Sequence, residues 1–204
     1  MADRRHGTTG PATTSEVDRL TWDPRALSGS RHDAVLFTDV DLSDLEERGA
    51  SFNACTFRGI RFNASTHIDA AFTNCTFAGC NFFDATFTEC KMVGSLFDRC
   101  TFDLVTIEGG DWSLVGLRGA DLRKASLHGV RLREADLTGA RFEGGKVRDT
   151  DLSGAWMHGA SFHGADLRGS DLSALDPLQC DVADALIDVE QAMVLAAALG
   201  LRIG

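Results

Sequence analysis

Large apolar side chains recur at every fifth residue of this chain, from Phe37 to Leu172. Of the 28 positions on this frame, 26 hold a large apolar residue, and the two exceptions are Glu47 and His67. A period of five matches neither the 3.6-residue turn of an α-helix nor the two-residue alternation of a β-strand. It predicts a chain that turns once every five residues, so that four turns close a square coil of 20 residues.

Two further frames accompany the apolar one. Residues two places before each apolar position are Ala, Cys, Ser, Val, Thr or Gly at 26 of 28 positions, and 13 of the 21 glycines lie two places after it. We expect the large and small residues to point inward and the glycines to relieve the corners, where the backbone turns sharply. Every fourth apolar position then stacks in one column, and the column Phe37, Phe57, Phe77, Phe97 predicts a ladder of aromatic rings.

The unit that repeats is a small residue, then Asp, Asn, Ser or Thr, then Leu or Phe, then two variable residues. Examples are Ala120-Asp121-Leu122, Ala135-Asp136-Leu137 and Ala165-Asp166-Leu167. Over residues 35–174 this unit resembles the pentapeptide-repeat family. The resemblance implies an all-β solenoid, a right-handed quadrilateral β-helix whose coils are stacked by backbone hydrogen bonds.

A separate region precedes the repeat. Residues 1–34 are rich in Thr, Gly, Pro and Ser and carry balanced charge, which predicts a largely disordered N-terminal extension. Within it, the segment around Trp22 and Leu27 is the part that we expect to pack on the first coil.

Residues 175–204 predict a cap on the open end of the solenoid. Pro177 interrupts the pattern, Asp188 and Gln191 have the spacing of a capping box, and Gly200 is a stop signal for a helix over Val189–Leu199. This C-terminal helix is apolar nearly all round, so we expect one side to close the coil and the other to meet a second copy of the chain. The alternative is a lid folded onto its own coil. The predicted dimer interface comprises Val189, Ala192, Met193, Ala196 and Leu199.

Composition limits the classes of function. A net charge of −10 argues against direct binding to nucleic acid or to an anionic membrane surface. We find no signal peptide, no apolar run of membrane-spanning length and no CxxC pair, so we expect a cytoplasmic protein with reduced thiols. Five of the six cysteines lie at small inward positions and His67 at a large one, which predicts packing roles, no metal and no cofactor. A packed interior also predicts that the protein is not an enzyme.

Negative charge is concentrated in the first half of the repeat. Residues 36–112 carry 12 acidic and 5 basic residues, whereas residues 113–174 carry 8 and 9. On the square coil nine of these 12 acids fall on two neighbouring sides, which we call the acidic edge: Asp41, Asp44, Asp84 and Asp103 on one, and Glu46, Glu47, Asp69, Glu89 and Glu108 on the next. The candidates for contact with a partner are Asp69, Asp84, Glu89, Asp103 and Glu108.

The charge density of this edge permits two interpretations. With coils about 4.8 Å apart, residues 36–112 carry roughly one net charge per 2.6 Å, and duplex DNA carries one per about 1.7 Å of helix axis. A DNA-binding protein is therefore a candidate partner. The alternative is an acidic surface that serves only solubility.

Several segments resemble the mycobacterial fluoroquinolone-resistance branch of the pentapeptide-repeat family, the MfpA type. They are Met92–Phe97, Asp121–Arg123, Arg131–Glu134 and the tail Asp188–Leu201. The unbroken frame is also similar to that branch and unlike the Qnr type, whose coils are interrupted by projecting loops. The resemblance implies a dimeric DNA mimic that binds the cleavage core or the ATPase head of DNA gyrase, modulates supercoiling and protects the enzyme from quinolones. The competing hypotheses are an interaction scaffold with a different partner and an enzyme whose pocket lies in residues 1–34.

Overall fold

The computed structural model describes residues 10–18 and 27–202 of the chain. In these residues the chain forms fourteen short β-strands followed by one α-helix. The strands are β1 Ser15–Asp18, β2 Arg31–Asp33, β3 Val35–Thr38, β4 Glu46–Arg48, β5 Ser51–Asn53, β6 Thr56–Arg58, β7 Thr66–Ile68, β8 Ala71–Thr73, β9 Thr76–Ala78, β10 Thr86–Thr88, β11 Leu96–Asp98, β12 Thr106–Glu108, β13 Ser126–His128 and β14 Lys146–Arg148, and the helix is α1 Val189–Ala198.

The strands form three parallel sheets that run along the length of a solenoid. Their orders are β1-β3-β6-β9-β11, β14-β13-β12-β10-β7-β4 and β2-β5-β8. Each strand pairs with one a full coil away, as in Phe57↔Phe77 and Phe87↔Ile107. This register of 20 residues confirms the predicted quadrilateral β-helix.

The core consists of the two predicted inward frames. Phe37, Phe57, Phe77 and Phe97 stack in a column with successive ring centroids 4.9, 4.8 and 4.7 Å apart and rings tilted by only 7°. Edge-on contacts, such as Phe52 with Phe57 at 5.2 Å, link neighbouring columns across the coil. The ring ladder is therefore confirmed, and its stacked and edge-on pairs are the favourable geometries for aromatic side chains.

The solenoid begins earlier than the predicted boundary at residue 35. Strand β1 pairs with β3, strand β2 pairs with β5, and Leu27 is buried. The prediction of disorder is therefore corrected for residues 10–18 and 27–34, whereas residues 1–9 and the segment around Trp22 lie outside the described residues. The physical reason is that Val17, Leu27 and His32 continue the five-residue frame upstream, so this segment has side chains to place in the core.

The solenoid also ends later than predicted. Parallel bridges Ser161↔Asp181 and Asp166↔Leu186 continue the 20-residue register past residue 174. Pro177 takes one apolar position, and the pattern resumes with Val182 and Ile187, which are partly buried against the core. Helix α1 then begins at the capping box that the sequence predicted and ends beside Gly200, whose φ is +75°. Among the described residues, no helix is long and apolar enough to cross a membrane.

Candidate functional site

The structure brings the five candidate acids together at two neighbouring corners of the acidic edge. The Asp84 N–H donates to the Asp103 carbonyl at 2.9 Å, so these residues lie side by side on consecutive coils. The Glu89 N–H donates to the Glu108 carbonyl at 2.8 Å and forms a second such pair. Asp69 lies one coil before Glu89 in the same register, and all five side chains are exposed.

Corner geometry favours aspartate at two of these positions, Asp69 and Asp84. Asp69, Asp84 and Glu89 have φ values of +54°, +57° and +51°, the left-handed conformation that Asp adopts more readily than most residues. Glu89 folds its carboxylate over the next coil, where Oε2 accepts the Gly110 N–H at 3.2 Å. Gly109 makes room for it, because a Cβ at that position would lie 2.2 Å from the Glu89 carboxylate.

Two of the five carboxylates have a basic partner. Arg48 Nη1 lies 3.0 Å from Asp69 Oδ2, and Lys124 Nζ lies 3.4 Å from Asp103 Oδ1. Among the described residues, the carboxylates of Asp84, Glu89 and Glu108 have no ion-pair partner within 4.0 Å. These three carboxylates are therefore the least neutralised of the five candidates.

Two acids in the second half of the solenoid each have two basic partners. Asp121 is paired with Arg123 and Arg141. Asp166 is paired with Arg168 and Arg148. The hydrogen bond from Arg168 holds the pKa of Asp166 at about 2, below its usual value. These doubly paired acids lie outside the acidic edge.

Glu47 does not belong to the outward surface, and its placement on the acidic edge was wrong. Glu47 and His67 are the two exceptions in the apolar frame, and they lie in register on β4 and β7. Both side chains are fully buried, with His67 Nδ1 2.9 Å from Glu47 Oε1. The sequence signal that could have revealed this pair is their separation of one full coil.

The contacts around His67 give both members of this pair hydrogen-bond partners. Ser65 Oγ–H donates to the Phe62 carbonyl at 2.7 Å, and Ser65 Oγ lies 2.9 Å from His67 Nε2. His67 Nδ1 lies 2.9 Å from Glu47 Oε1, and the Ala50 N–H donates to the second Glu47 oxygen at 3.1 Å. The two polar side chains are therefore satisfied within the core.

The order Ser65–His67–Glu47 matches that of a nucleophilic triad. Ser65 and His67 are each 0% exposed, however, so no substrate reaches them. The arrangement is a buried ion pair in the core.

Helix α1 closes the solenoid through polar groups. Gln191 is its buried residue, and Gln191 Nε2 donates to the carbonyls of Leu167 and Ser170 at 2.6 and 2.7 Å. Asp188 caps the helix and also accepts the Gly169 N–H at 3.0 Å. The helix also packs Leu195 against the core, so the expectation that an apolar side closes the coil holds in part, and the polar contacts of Gln191 and Asp188 are the addition that the structure makes.

The predicted dimer residues lie on the outer surface of the helix. Val189 is 78% exposed, and Met193 and Leu199 are each 47% exposed. Ala192 is exposed and Ala196 is half-buried. The helix thus leaves an apolar surface at the C-terminal end of the solenoid.

Comparison with known families agrees with this architecture. The family model for pentapeptide repeats matches in eight copies, over residues 68–103, 108–139, 116–154 and 135–173, which together make up half of the chain. The chain belongs to the pentapeptide-repeat family. The pentapeptide-repeat solenoid fold is generally that of a non-catalytic scaffold.

Solved pentapeptide-repeat structures share the fold. A trypsin-treated variant of QnrB1, described as a plasmid-mediated fluoroquinolone resistance protein, is 19% identical, with a TM-score of 0.55 over 95% of this chain and 97% of that chain. A second trypsin-treated QnrB1 variant is 21% identical, with a TM-score of 0.51 and the same coverage. No protein of curated function matches the sequence. These likenesses support the fold alone.

The thiols of this pentapeptide-repeat core have packing and hydrogen-bonding roles. Cys75, Cys80 and Cys90 are buried, and each donates its Sγ–H to a carbonyl 23 residues earlier, as in Cys90 to His67 at 3.3 Å. Burial raises the pKa of the Cys90 thiol to about 12. Among the described residues, no three His, Cys, Asp or Glu side chains form a group that could hold a metal ion.

Proposed function

We propose that this pentapeptide-repeat protein is a DNA mimic that binds DNA gyrase, modulates or inhibits its supercoiling activity and protects it from fluoroquinolones. The observation that carries the proposal is the acidic edge, where exposed carboxylates are stacked on consecutive coils with few basic partners. The segments that resemble the MfpA type support the same function. QnrB1 is a fluoroquinolone resistance protein with a similar fold, but at this identity it supports the architecture only.

The charge density of the edge is of the order that DNA presents. Because Glu47 is buried against His67, the surface of residues 36–112 carries one negative charge fewer than the sequence indicates. With coils about 4.8 Å apart, this leaves roughly one net charge per 3 Å. Duplex DNA carries one per about 1.7 Å. A basic DNA-binding groove therefore meets a comparable field on a rigid rod, and the candidate surfaces on gyrase are its cleavage core and its ATPase head.

We further propose that the active form is a homodimer. The exposed apolar side chains of α1 would be buried against the same residues of a second copy, as an isologous interface requires. The interface comprises Val189, Ala192, Met193, Ala196 and Leu199. Dimerisation would join two solenoids end to end and double the length of the rod. A partner of gyrase acts where the bacterial chromosome lies, so we expect the protein in the cytoplasm, with no cofactor and no direct contact with nucleic acid.

The test is a gyrase supercoiling assay, run with and without a fluoroquinolone across a range of protein concentrations. The variant Asp84→Lys/Glu108→Lys reverses two carboxylates that have no ion-pair partner among the described residues. We expect it to lose the effect on gyrase while its circular dichroism spectrum is unchanged.

The matched control is Asp171→Lys/Asp184→Lys, which makes the same change in net charge on exposed residues outside the edge. Equal losses in both variants would contradict a specific role for the acidic edge. An unchanged effect of the Asp84→Lys/Glu108→Lys variant would contradict charge mimicry.

The second candidate function is a non-catalytic interaction scaffold with a different partner. It is favoured by Trp156, which is 63% exposed on the side of the coil opposite β7 and β10. A pull-down from cell extract with the wild-type protein and with Trp156→Ala separates the two candidates, because gyrase is expected to bind both chains equally.

A further inference from the structure

Two exposed apolar residues stand out on the acidic edge. Within residues 27–155, all of which are described, Phe83 and Leu104 are the exposed large apolar side chains, at 45% and 48%. The positions in register with Phe83 on other coils are mostly polar, and those in register with Leu104 are small or charged. The first set holds Ser43, Asn63, Asp103, Arg123, Glu143 and His163, and the second holds Asp44, Ala64, Asp84, Lys124 and Gly144.

The two exceptions lie next to each other. Phe83 and Asp84 are on one coil, and Asp103 and Leu104 occupy the same positions on the next. The hydrogen bond from the Asp84 N–H to the Asp103 carbonyl holds this register at 2.9 Å. The four side chains therefore form a two-by-two array about 4.8 Å between coils, with apolar groups on one diagonal and carboxylates on the other.

The backbone of Leu104 is strained. Its φ is +62°, a left-handed conformation that is unfavourable for a bulky L-residue. Asp84 adopts the same conformation one coil earlier, with φ of +57°, at lower cost because Asp tolerates it. Neither core packing nor backbone geometry accounts for a leucine here, and an exposed, strained residue points to a role in function.

We propose that Phe83 and Leu104, with Asp84 and Asp103, form one docking patch for a protein partner that offers an apolar pocket bordered by Lys or Arg side chains. This inference rests on the proposed function and refines it, because the patch adds a direct apolar anchor to the DNA-like charge. Exposed carboxylates attract a basic partner with a strength that salt screens. A buried aromatic anchor at the centre of an interface supplies affinity that salt screens little.

The experiment measures gyrase affinity by surface plasmon resonance at low and high salt, with the full-length chain immobilised. The variants are Phe83→Asn, which copies the Asn63 position, and Leu104→Asn. Leu114→Asn is the matched control, since Leu114 also has a left-handed φ of +60° but lies at the opposite corner of the coil. Both leucine variants relieve the same strain, so both are expected to keep or raise the melting temperature.

We expect Phe83→Asn and Leu104→Asn to weaken gyrase binding about ten-fold at both salt concentrations, and Leu114→Asn to bind as the wild type does. Equal binding by all four chains would overturn the patch while leaving gyrase as the partner. Binding by none of them would overturn the proposed function and the patch together. The docking patch would also be overturned if light scattering showed that the wild type is a dimer and the Leu104→Asn variant a monomer, because the patch would then be a contact between two copies of the chain.

Discussion

The buried Glu47–His67 pair allows a direct test of how the core is held together. Replacing His67 with Phe leaves the Glu47 carboxylate fully buried, with the Ala50 N–H as its remaining donor in the described network. Removing one partner of a buried ion pair leaves an uncompensated buried charge, which is strongly destabilising. We therefore expect His67→Phe to lower the free energy of unfolding by about 3–5 kcal/mol.

The reverse variant, Glu47→Leu, is expected to cost less. An imidazole group can be neutral at pH 7 at little cost, whereas a carboxyl group cannot. The main cost in this variant is the hydrogen bond that His67 Nδ1 no longer makes. We therefore expect Glu47→Leu to lower the free energy of unfolding by about 1–3 kcal/mol.

The double variant Glu47→Leu/His67→Phe restores the uninterrupted apolar frame. A Phe at position 67 would stack on Phe87, as the His67 ring does at a centroid distance of 4.9 Å. Replacing a buried ion pair with apolar groups of similar volume is often neutral or stabilising by about 1–4 kcal/mol. The double variant should therefore be at least as stable as the wild type although each single variant is weaker.

Unfolding in guanidinium chloride at pH 7, followed by circular dichroism, measures all four free energies. Glu46→Leu, at an exposed position on the same strand, is the control and should change stability by no more than about 0.5 kcal/mol. If the double variant loses as much free energy of unfolding as the two single variants together, the two residues are not coupled and the ion pair is refuted.

Three further predictions concern the corners, the cap and the thiols. Gly110→Ala should lower the free energy of unfolding by about 2–4 kcal/mol in the same assay, because a Cβ at position 110 would lie 2.2 Å from the Cys90 carbonyl oxygen. In the control Gly119→Ala the added Cβ would meet nothing within 4 Å, so this variant should lose only about 1 kcal/mol. Backbone hydrogen bonds hold the pKa of Asp188 in the folded chain below its ordinary value. The helix cap therefore contributes its full stability at pH values above the ordinary carboxyl pKa, and this contribution is lost as the pH falls through the lower pKa of the folded state. The helical circular dichroism signal of the wild type should therefore fall between pH 5 and pH 2. If Asp188→Asn shows no such fall, Asp188 is the group whose protonation removes the cap. The Cys90 thiol, with its pKa raised to about 12 by burial, should resist iodoacetamide at pH 8 until the chain is unfolded, as mass spectrometry can measure.

Much of the architecture follows from the sequence because it depends on a local period. Each five-residue unit specifies its own corner and its own inward pair, so the 20-residue register, the ring ladder and the capping box of α1 were all predictable. The ends were harder to predict. Val17 and Ile187 belong to the same frame as Phe37, but sparse matches near the termini do not reveal where stacking begins and ends.

The tertiary structure alone decided which polar groups meet. Glu47 has the composition of a surface acid, yet stacking in register places it against His67 inside the core. Gln191 was predicted to cap the helix, and the structure adds that it also binds the last carbonyls of the solenoid. Asp69 forms an ion pair with Arg48 of the adjacent coil, whereas Asp84 and Glu108 have no ion pair among the described residues. The sequence by itself thus determined the fold, because periodicity is written along the chain, whereas charge pairing is set across coils, between residues about twenty positions apart.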